Sequence, residues 1–297
     1  MEIAARSKQV LGTTVEIKLP ISSPSLFPIC FSELSRIESK FSRFLDSSEL
    51  SKLNANLGKW QDASDEMVLL LQEGGKYRRL TEGNFDITLK SALDSLGYDK
   101  GYSFVEKEKK PLDASDITSS LLGGMQIDEK NRRVLLRKEI DFGGFGKGYA
   151  LDRAAALLEK NGARHFYINA GGDICAKRAE GMPPWEILLE HPDDAEKAIG
   201  KIELDGKSIA ASAPNRRKWG KSHHLLNAKT GKSAQGVKAI FVIAKTGIEA
   251  DAYATALFVA GFEGGISMSK SLPVDMLIVS SQNKMYKSPG FAAELFE

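Results

Sequence analysis

A glycine-rich segment, DFGGFGKG at residues 141–148, has the composition of a loop that could bind an anion such as a phosphate. It lies between a predicted strand at 134–140 and a predicted helix at 149–160. In such a loop, unpaired backbone N–H groups and the positive helix end face the same point, and Lys147 adds a cation. The spacing matches neither a Walker loop, since Gly148 follows the lysine, nor the pattern G-x-G-x-x-G. A phosphate cradle and a turn that only packs a helix on a sheet both remain open.

Asp251 and Thr255 have the residue types and spacing of a divalent-cation site. The sequence TGIE at 246–249 predicts a capping box, and the two side chains then lie one turn apart on one face of the helix. Their neighbours are mostly small or apolar, so a carboxylate there needs a partner. Mg²⁺ accepts carboxylate, hydroxyl and carbonyl oxygens. The alternative is that Asp251 pairs with a lysine or arginine, while Thr255 bonds back to the preceding turn of its helix.

Two histidines and one further carboxylate are weaker candidates. His223 and His224 follow a basic stretch and precede a predicted turn at 227–231. A histidine in such a loop could act as a general base or hold a phosphate, or it could be structural. Asp173 follows two glycines at the end of a predicted strand, where it could face a ligand or only shape a turn.

The composition excludes several classes of protein. Of 297 residues, 42% are hydrophobic and 27% charged, which excludes a disordered chain, a collagen-like repeat and a coiled coil as the main architecture. The 41 Lys+Arg against 39 Asp+Glu leave a net charge of +2, so we expect no nucleic-acid partner. No window approaches the roughly 18 uncharged apolar residues of a membrane span. Residues 1–20 carry charges through their apolar positions, unlike a signal peptide.

The two cysteines, Cys30 and Cys175, form no CxxC pair, which excludes zinc ribbons and iron–sulfur clusters. We expect two buried free thiols, and a single long-range disulfide remains the alternative.

Strand and helix patterns are mixed along the chain. Strands are predicted at 10–19, 134–140, 165–169, 185–189, 208–212, 237–244 and 274–280, and helices over 29–41, from 67, over 149–160 and over 248–259. The strands after 169 do not alternate strictly with helices, so we predict an α+β fold with more than one sheet rather than a doubly wound fold. A charged stretch at 106–110 predicts a lobe boundary near 106–125 within a single domain of residues 1–297.

Eight short motifs follow one another over nearly the whole chain. They are LGTTVEI (11–17), FSRF (41–44), SELSKLN (48–54), GNFD (83–86), DFGGFGKGYALD (141–152), NAGGDI (169–174), HHLLNAKTG (223–231) and EADAYATAL (249–257). In this order they resemble the ApbE family, the FAD-dependent protein FMN transferases. The resemblance implies a T-fold-like α+β architecture, with mixed or antiparallel sheets flanked by helices and the flavin site between its lobes.

The resemblance also implies a reaction and a set of residues. FAD would be cleaved at its pyrophosphate, FMN transferred to a threonine hydroxyl of an acceptor protein, and AMP released. Asp251 and Thr255 would hold Mg²⁺ with a main-chain carbonyl near Gly144. Contacts to FAD would come from Leu11, Asn84, Phe85, Asp86, Asp141, Lys147, Asp173, His224 and Leu225. Of these groups, Lys147, Asp251 and His224 would be catalytic, with His224 as the base that deprotonates the acceptor.

The chain departs from the family pattern mainly on the acceptor side. Leu11 stands where the family usually has methionine, and Asn227-Ala228 replaces the usual Asp-Pro. The sequence SAPNR at 212–216 replaces a segment with an additional acidic residue. Two alternatives therefore stay beside the transferase: an FAD pyrophosphatase that uses water, and an FAD-binding protein without turnover. Many members of the family are exported lipoproteins, whereas this chain shows no lipobox, so we expect a cytoplasmic protein.

Overall fold

The computed structural model describes residues 2–101, 103–105, 124–215, 217–220 and 222–296. Within them the strands are β1 (Ile3–Val10), β2 (Thr13–Pro20), β3 (Trp60–Asp62), β4 (Met125–Asp128), β5 (Arg133–Leu136), β6 (Phe166–Ala170), β7 (Asp173–Lys177), β8 (Trp185–His191), β9 (Asp194–Leu204), β10 (Lys207–Ser212), β11 (Lys218–Trp219), β12 (Ser222–His223), β13 (Leu226–Asn227), β14 (Lys232–Ser233), β15 (Val237–Ala244), β16 (Asp275–Ser280), β17 (Met285–Lys287) and β18 (Glu294–Leu295). The helices are α1 (Leu26–Phe41), α2 (Glu49–Asn54), α3 (Asp65–Leu80), α4 (Lys90–Ser95), α5 (Gly146–Lys160), α6 (Gly247–Val259) and α7 (Gly261–Ser269).

An eight-stranded sheet forms the centre of the molecule, in the order β1-β2-β6-β7-β10-β15-β16-β17, and each neighbouring pair is antiparallel. A three-stranded sheet, β18-β9-β8, packs on one face of it. A second three-stranded sheet, β3-β5-β4, and two short hairpins complete the described strands. The prediction of an α+β fold with more than one sheet is confirmed. The predicted lobe boundary near 106–125 falls almost entirely outside the described residues.

Strand β15 shows why the central sheet is covered on both faces. Ile240 and Val242 belong to the core under the helices, whereas Phe241 and Ile243 belong to the core under the sheet β18-β9-β8. Side chains alternate between the faces of a strand, so an apolar residue at every position requires a layer on each side. This explains the uninterrupted apolar run at 239–244 within the predicted strand 237–244.

The start of the chain differs from the prediction. The segment 10–19, predicted as a single strand, contains the last residue of β1, a tight turn and most of β2. Leu11 and Gly12 form the turn, both with positive φ (61° and 67°), as in a two-residue hairpin loop whose twist matches the flanking strands. Most of β1 is exposed and polar, so it carries no apolar alternation that would reveal it.

Two helices approach each other at glycines. A Cβ placed on Gly148 of α5 would lie 2.1 Å from the carbonyl oxygen of Gly247, the first residue of α6. A Cβ on Gly247 would lie 2.5 Å from the carbonyl oxygen of Gly148. The predicted capping box marks the beginning of α6 correctly, since Oγ1 of Thr246 accepts the N–H of Glu249 at 3.4 Å. Helix α5, in contrast, begins at Gly146 rather than at 149.

We expect Gly148→Ala to lower the free energy of unfolding by about 1–3 kcal/mol, because the methyl group must separate the two helix backbones. Urea unfolding followed by far-UV circular dichroism measures the change. Gly264→Ala is the matched control, since its Cβ meets nothing closer than 3.5 Å and the site is exposed and helical. The control should be neutral or slightly stabilising. Equal midpoints for Gly148→Ala and the wild-type protein would contradict the close contact.

Candidate active site

The N-termini of α5 and α6 are capped by carboxylates from each other. Asp251 of α6 accepts the backbone N–H of Gly148 at 3.0 Å. Asp152 of α5 accepts the N–H groups of Gly247 and Ile248 at 2.6 and 2.9 Å. The first turn of a helix carries unpaired N–H groups and a partial positive charge, so a carboxylate is favourable there. This exchange fixes Asp251 against the glycine-rich segment.

Asp152 is a structural residue that the sequence analysis missed. It lies in the middle of a helix, and no local pattern indicates that its partners are 95 residues away. Burial raises the pKa of Asp152 to about 6, although the two N–H bonds act in the opposite direction. The charged form of the Asp152 carboxylate is therefore poorly solvated at this position.

A hydroxyl from α6 and a carbonyl of the glycine-rich segment meet near this contact. Oγ1 of Thr255 donates to the carbonyl oxygen of Gly144 at 3.3 Å, rather than bonding back along its own helix. A Cβ on Gly144 would lie 3.1 Å from the ring of Phe85, so the close approach requires glycine. The described residues hold no group of three or more His, Cys, Asp or Glu side chains placed so that they could bind a metal ion. A metal here would thus be held by Asp251 together with a hydroxyl and a carbonyl.

Lys147 lies between two buried carboxylates. Its Nζ contacts Oδ2 of Asp173 and lies 3.6 Å from Oδ2 of Asp251. Asp173 is only 2% exposed, and its Oδ1 accepts the N–H of Ala211 at 3.2 Å. Burial lowers the pKa of Lys147, but the two carboxylates outweigh it and leave that pKa raised. Asp251 therefore has the lysine neighbour that the ion-pair interpretation predicts, and the cation site stays a prediction.

The two carboxylates carry more negative charge than Lys147 neutralises. Burial raises the pKa of Asp251 to about 6; Lys147 lowers it, and the nearby Asp173 raises it further. A divalent cation at Asp251, Thr255 and Gly144 would balance this excess with the hard oxygen ligands that Mg²⁺ prefers. The residues present therefore fit a magnesium ion.

Backbone amides of the glycine-rich segment contribute less than its composition suggests. Gly143 donates to Asp141, Phe145 and Gly146 donate to the carbonyl of Phe142, and Gly148 donates to Asp251. These amides are already paired, so the predicted cradle of free N–H groups does not form from them. The ammonium group of Lys147 is therefore the candidate anion-binding group of this segment.

The two neighbouring histidines have different roles. His223 is buried, with its Nε2 at 2.8 Å from the carbonyl of Ala234 and its Nδ1 accepting the N–H of Leu225. His224 has an Nδ1 that is shielded from solvent and finds no hydrogen-bond partner among the described residues. Burial, followed by Arg217, lowers the pKa of His224 to about 3, so the ring is neutral and its protonation is unfavourable in the protein without ligand.

The remaining predicted FAD contacts lie in several places. Phe85 is buried against Phe145 and Tyr77, and the Asp86 carboxylate is occupied by Arg78 and Thr88. The other four predicted contacts are placed as follows: Asn84 is half-buried beside them, Leu225 is buried, Leu11 is at the β1–β2 hairpin tip, and Asp141 begins the glycine-rich segment. Within the turn at 84–86, a ligand would therefore meet Asn84 and the main chain rather than the Phe85 ring.

Aromatic and cationic side chains that the sequence analysis did not select lie near His224. The rings of Tyr98 and His224 are 6.1 Å apart, and Trp219 stacks on Tyr98 at 6.0 Å. The guanidinium of Arg217 lies 5.8 Å from the Tyr98 ring. Tyr98 itself is buried, so the half-buried Trp219 and Arg217 are the groups on which a planar ring system or a phosphate could rest.

Comparisons with known proteins point to one family. A model of the ApbE family matches residues 11–278. The FAD:protein FMN transferase of Haemophilus influenzae is 26% identical, over 100% of this chain and 92% of that protein, and the enzyme of Escherichia coli K12 is also 26% identical, over 87% and 76%. The ApbE protein of Thermotoga maritima superposes with a TM-score of 0.90, at 27% identity over 98% of both chains. The flavin transferase ApbE of Vibrio cholerae shares the fold, with a TM-score of 0.81 at 23% identity over 98% of both chains.

The length and apolar character of the described helices decide whether they could span a membrane. Among the residues placed in the structure, none of the helices combines the length and the apolar character that crossing a bilayer requires.

The raised pKa of Asp152 predicts a pH-dependent difference in stability between the wild-type protein and Asp152→Asn. The folded-state pKa of about 6 exceeds the ordinary aspartate value of about 3.9, so ionisation costs the folded protein more than the unfolded chain. From about pH 4 to pH 7, the wild-type protein loses stability through this group, and asparagine does not. The stability of the variant should therefore rise relative to wild type over this range.

Urea unfolding of both proteins at several pH values measures this difference. Asp205→Asn makes the same replacement of a carboxylate by an amide at an exposed position and is the control. Its stability relative to wild type should change less with pH. If the difference in the free energy of unfolding between wild type and Asp152→Asn stays constant with pH, the raised pKa of Asp152 is contradicted.

Proposed function

The chain belongs to the ApbE family, and from this membership and the geometry of the site we propose that it is a Mg²⁺-dependent FAD:protein FMN transferase. It would cleave the FAD pyrophosphate, join FMN through a phosphoester bond to a threonine of an acceptor protein and release AMP. The observation that carries the proposal is the convergence of Asp251, Thr255 and the Gly144 carbonyl beside Lys147.

Asp251, Thr255 and the carbonyl of Gly144 would hold the magnesium ion, which, when bound, would neutralise charge on the pyrophosphate. Lys147 would bind a phosphate oxygen of FAD with the ammonium group that Asp173 holds in place. Phosphoryl transfer depends mainly on positioning and on stabilising charge in the transition state. A buried lysine held by a fixed carboxylate meets both needs.

His224 would remove the proton of the acceptor threonine. The threonine oxygen forms a bond to the phosphorus of the FMN half, the bridging P–O bond breaks, and AMP leaves with that oxygen. The threonine proton passes to Nδ1 of His224, which has no partner among the described residues. Without ligand the pKa of His224 is about 3; the negative phosphates of bound FAD would raise it toward the working range of a base.

The acceptor would be a protein that carries a target threonine and approaches from the side of His224. The short strands β11, β12, β13 and β14 form this part of the molecule, and the sequence departs from the family pattern here and just before it. The altered segment at 212–216 therefore bears on which acceptor is used rather than on FAD cleavage.

The proposal is tested by incubating the protein with FAD, MgCl₂ and a library of threonine-containing peptides, followed by mass spectrometry. We expect an FMN-peptide adduct and AMP in equal amounts, and neither product when EDTA replaces MgCl₂. Free FMN and AMP without an adduct would replace the transferase with a pyrophosphatase. Bound, unchanged FAD would replace it with a binding protein.

Asp251→Asn tests the metal assignment. Asparagine keeps an oxygen for the N–H of Gly148 but removes the charge, so turnover should fall by about 100-fold or more while the fold persists. Asp205→Asn again serves as the exposed control and should keep wild-type turnover. Full activity of Asp251→Asn would remove Asp251 from the metal site.

A further inference from the structure

Arg43, in the motif FSRF, is a buried arginine at the edge of the proposed FAD site. Its side chain is 2% exposed, although arginine is almost never buried without partners. Nη1 donates to Oδ1 of Asp94 at 2.6 Å, and Nη2 donates to the carbonyl of Tyr98 at 2.5 Å. Rings on either side limit its movement, with Phe44 at 4.4 Å and Tyr98 at 4.9 Å from the guanidinium carbon.

One donor of this fixed guanidinium is unused. Nε is buried and has no hydrogen-bond acceptor among the residues that the structure describes. The nearest carboxylate to it is that of Asp141, whose Oδ2 lies 3.5 Å away, within ion-pair distance but not aligned as a hydrogen bond. A buried N–H that lacks an acceptor is costly, so this geometry favours a state in which Nε and Asp141 come together.

Asp141 is itself held at the start of the glycine-rich segment. Its N–H donates to the carbonyl of Ile87 at 2.8 Å, and its Oδ1 accepts the N–H of Gly143 at 3.0 Å. Oδ2 is the oxygen that faces Arg43, and the side chain remains 15% exposed. The carboxylate therefore keeps free lone pairs toward the site while one side is directed by the arginine.

A chain of alternating charges connects this carboxylate to α4. Glu139 pairs with Lys90, Lys90 with Asp94, Asp94 with Arg43, and Arg43 with Asp141. Three acids and two bases leave one negative charge in excess, and Asp141 is the end of the chain nearest the site. The chain also ties residues 139 and 141 to the same helix.

We propose that Arg43 is a positioning residue for FAD recognition. It holds the Asp141 carboxylate in the orientation in which its free oxygen lone pairs accept a hydrogen bond from an N–H or O–H group of FAD. When FAD binds, the Nε–H of Arg43 closes on Oδ2 of Asp141 and completes the hydrogen bonds of the guanidinium. This inference rests on the proposed function, because it takes FAD as the ligand.

A purely structural arginine would behave differently from a positioning one. Asp94→Asn weakens the ion pair on the opposite side of Arg43 and leaves the edge toward Asp141 intact. If Arg43 only stabilised the fold, Arg43→Lys and Asp94→Asn would affect FAD binding in the same way. If it positions Asp141, only Arg43→Lys weakens FAD binding.

The experiment measures FAD affinity by flavin fluorescence in the presence of EDTA, so that no turnover occurs. Arg43→Lys and Asp141→Asn should each weaken FAD binding by about tenfold, the size expected for one charge-assisted hydrogen bond. The double variant should bind FAD no more weakly than the weaker single variant, because the two residues act as one unit. Asp94→Asn should stay within about twofold of wild type, even where it lowers the melting temperature.

Wild-type FAD affinity in Arg43→Lys, or additive losses in the double variant, would overturn the inference while leaving the proposed function intact. No FAD binding by the wild-type protein would instead remove the proposed function itself. The ¹⁵N spectrum of arginine Nε–H groups in the wild-type protein provides a test that does not depend on the folding of an Arg43 variant. FAD should shift one buried Nε–H resonance in the wild-type protein and not in Asp141→Asn; no shift in the wild-type protein would overturn the proposal.

Discussion

The site depends on the exchange of carboxylates between two helix N-termini. Asp152 of α5 holds the beginning of α6, and Asp251 of α6 holds the beginning of α5. Backbone contact between Gly148 and Gly247 brings the two ends close enough for this exchange. Asp251 is buried and Asp152 half-buried, and loss of solvent raises both pKa values to about 6, so the arrangement carries an electrostatic cost that the rest of the fold must offset. Such cost is typical of functional sites.

Much of the fold could be predicted because the local patterns are strong. The apolar run at 239–244 lies in strand β15, and the capping box at 246–249 marks the beginning of α6. β1 and β9 could not be found in this way. Both expose polar side chains along much of their length, and what defines them is pairing with the neighbouring strands β2 and β8 in antiparallel hairpins. Period-2 alternation reveals a strand only when one of its faces is buried.

The candidate site was predictable in its oxygen ligands but not in its supports. Asp251 and Thr255 stand out because a helix rich in alanine gives a carboxylate no other reason to be there. Arg43 and Asp152 have their partners about 50 to 95 residues away, so local spacing gives no sign of them. Composition also misleads at 141–148, where five of the eight backbone amides of the glycine-rich segment already have acceptors within the protein. Such pairing is a three-dimensional property.

The alanines of α6 divide the molecule into a fixed and an adaptable part. Ala250, Ala252, Ala254 and Ala256 have no exposed surface, so larger side chains there would push the helix off the sheet. The candidate metal-binding residues Asp251 and Thr255 therefore lie on a helix whose buried positions tolerate almost no variation. Substitutions that change which acceptor protein is bound would disturb the fold least in the short hairpins β11–β12 and β13–β14, because these hairpins carry few core residues. The same set of site residues could thus act on a series of different acceptor proteins.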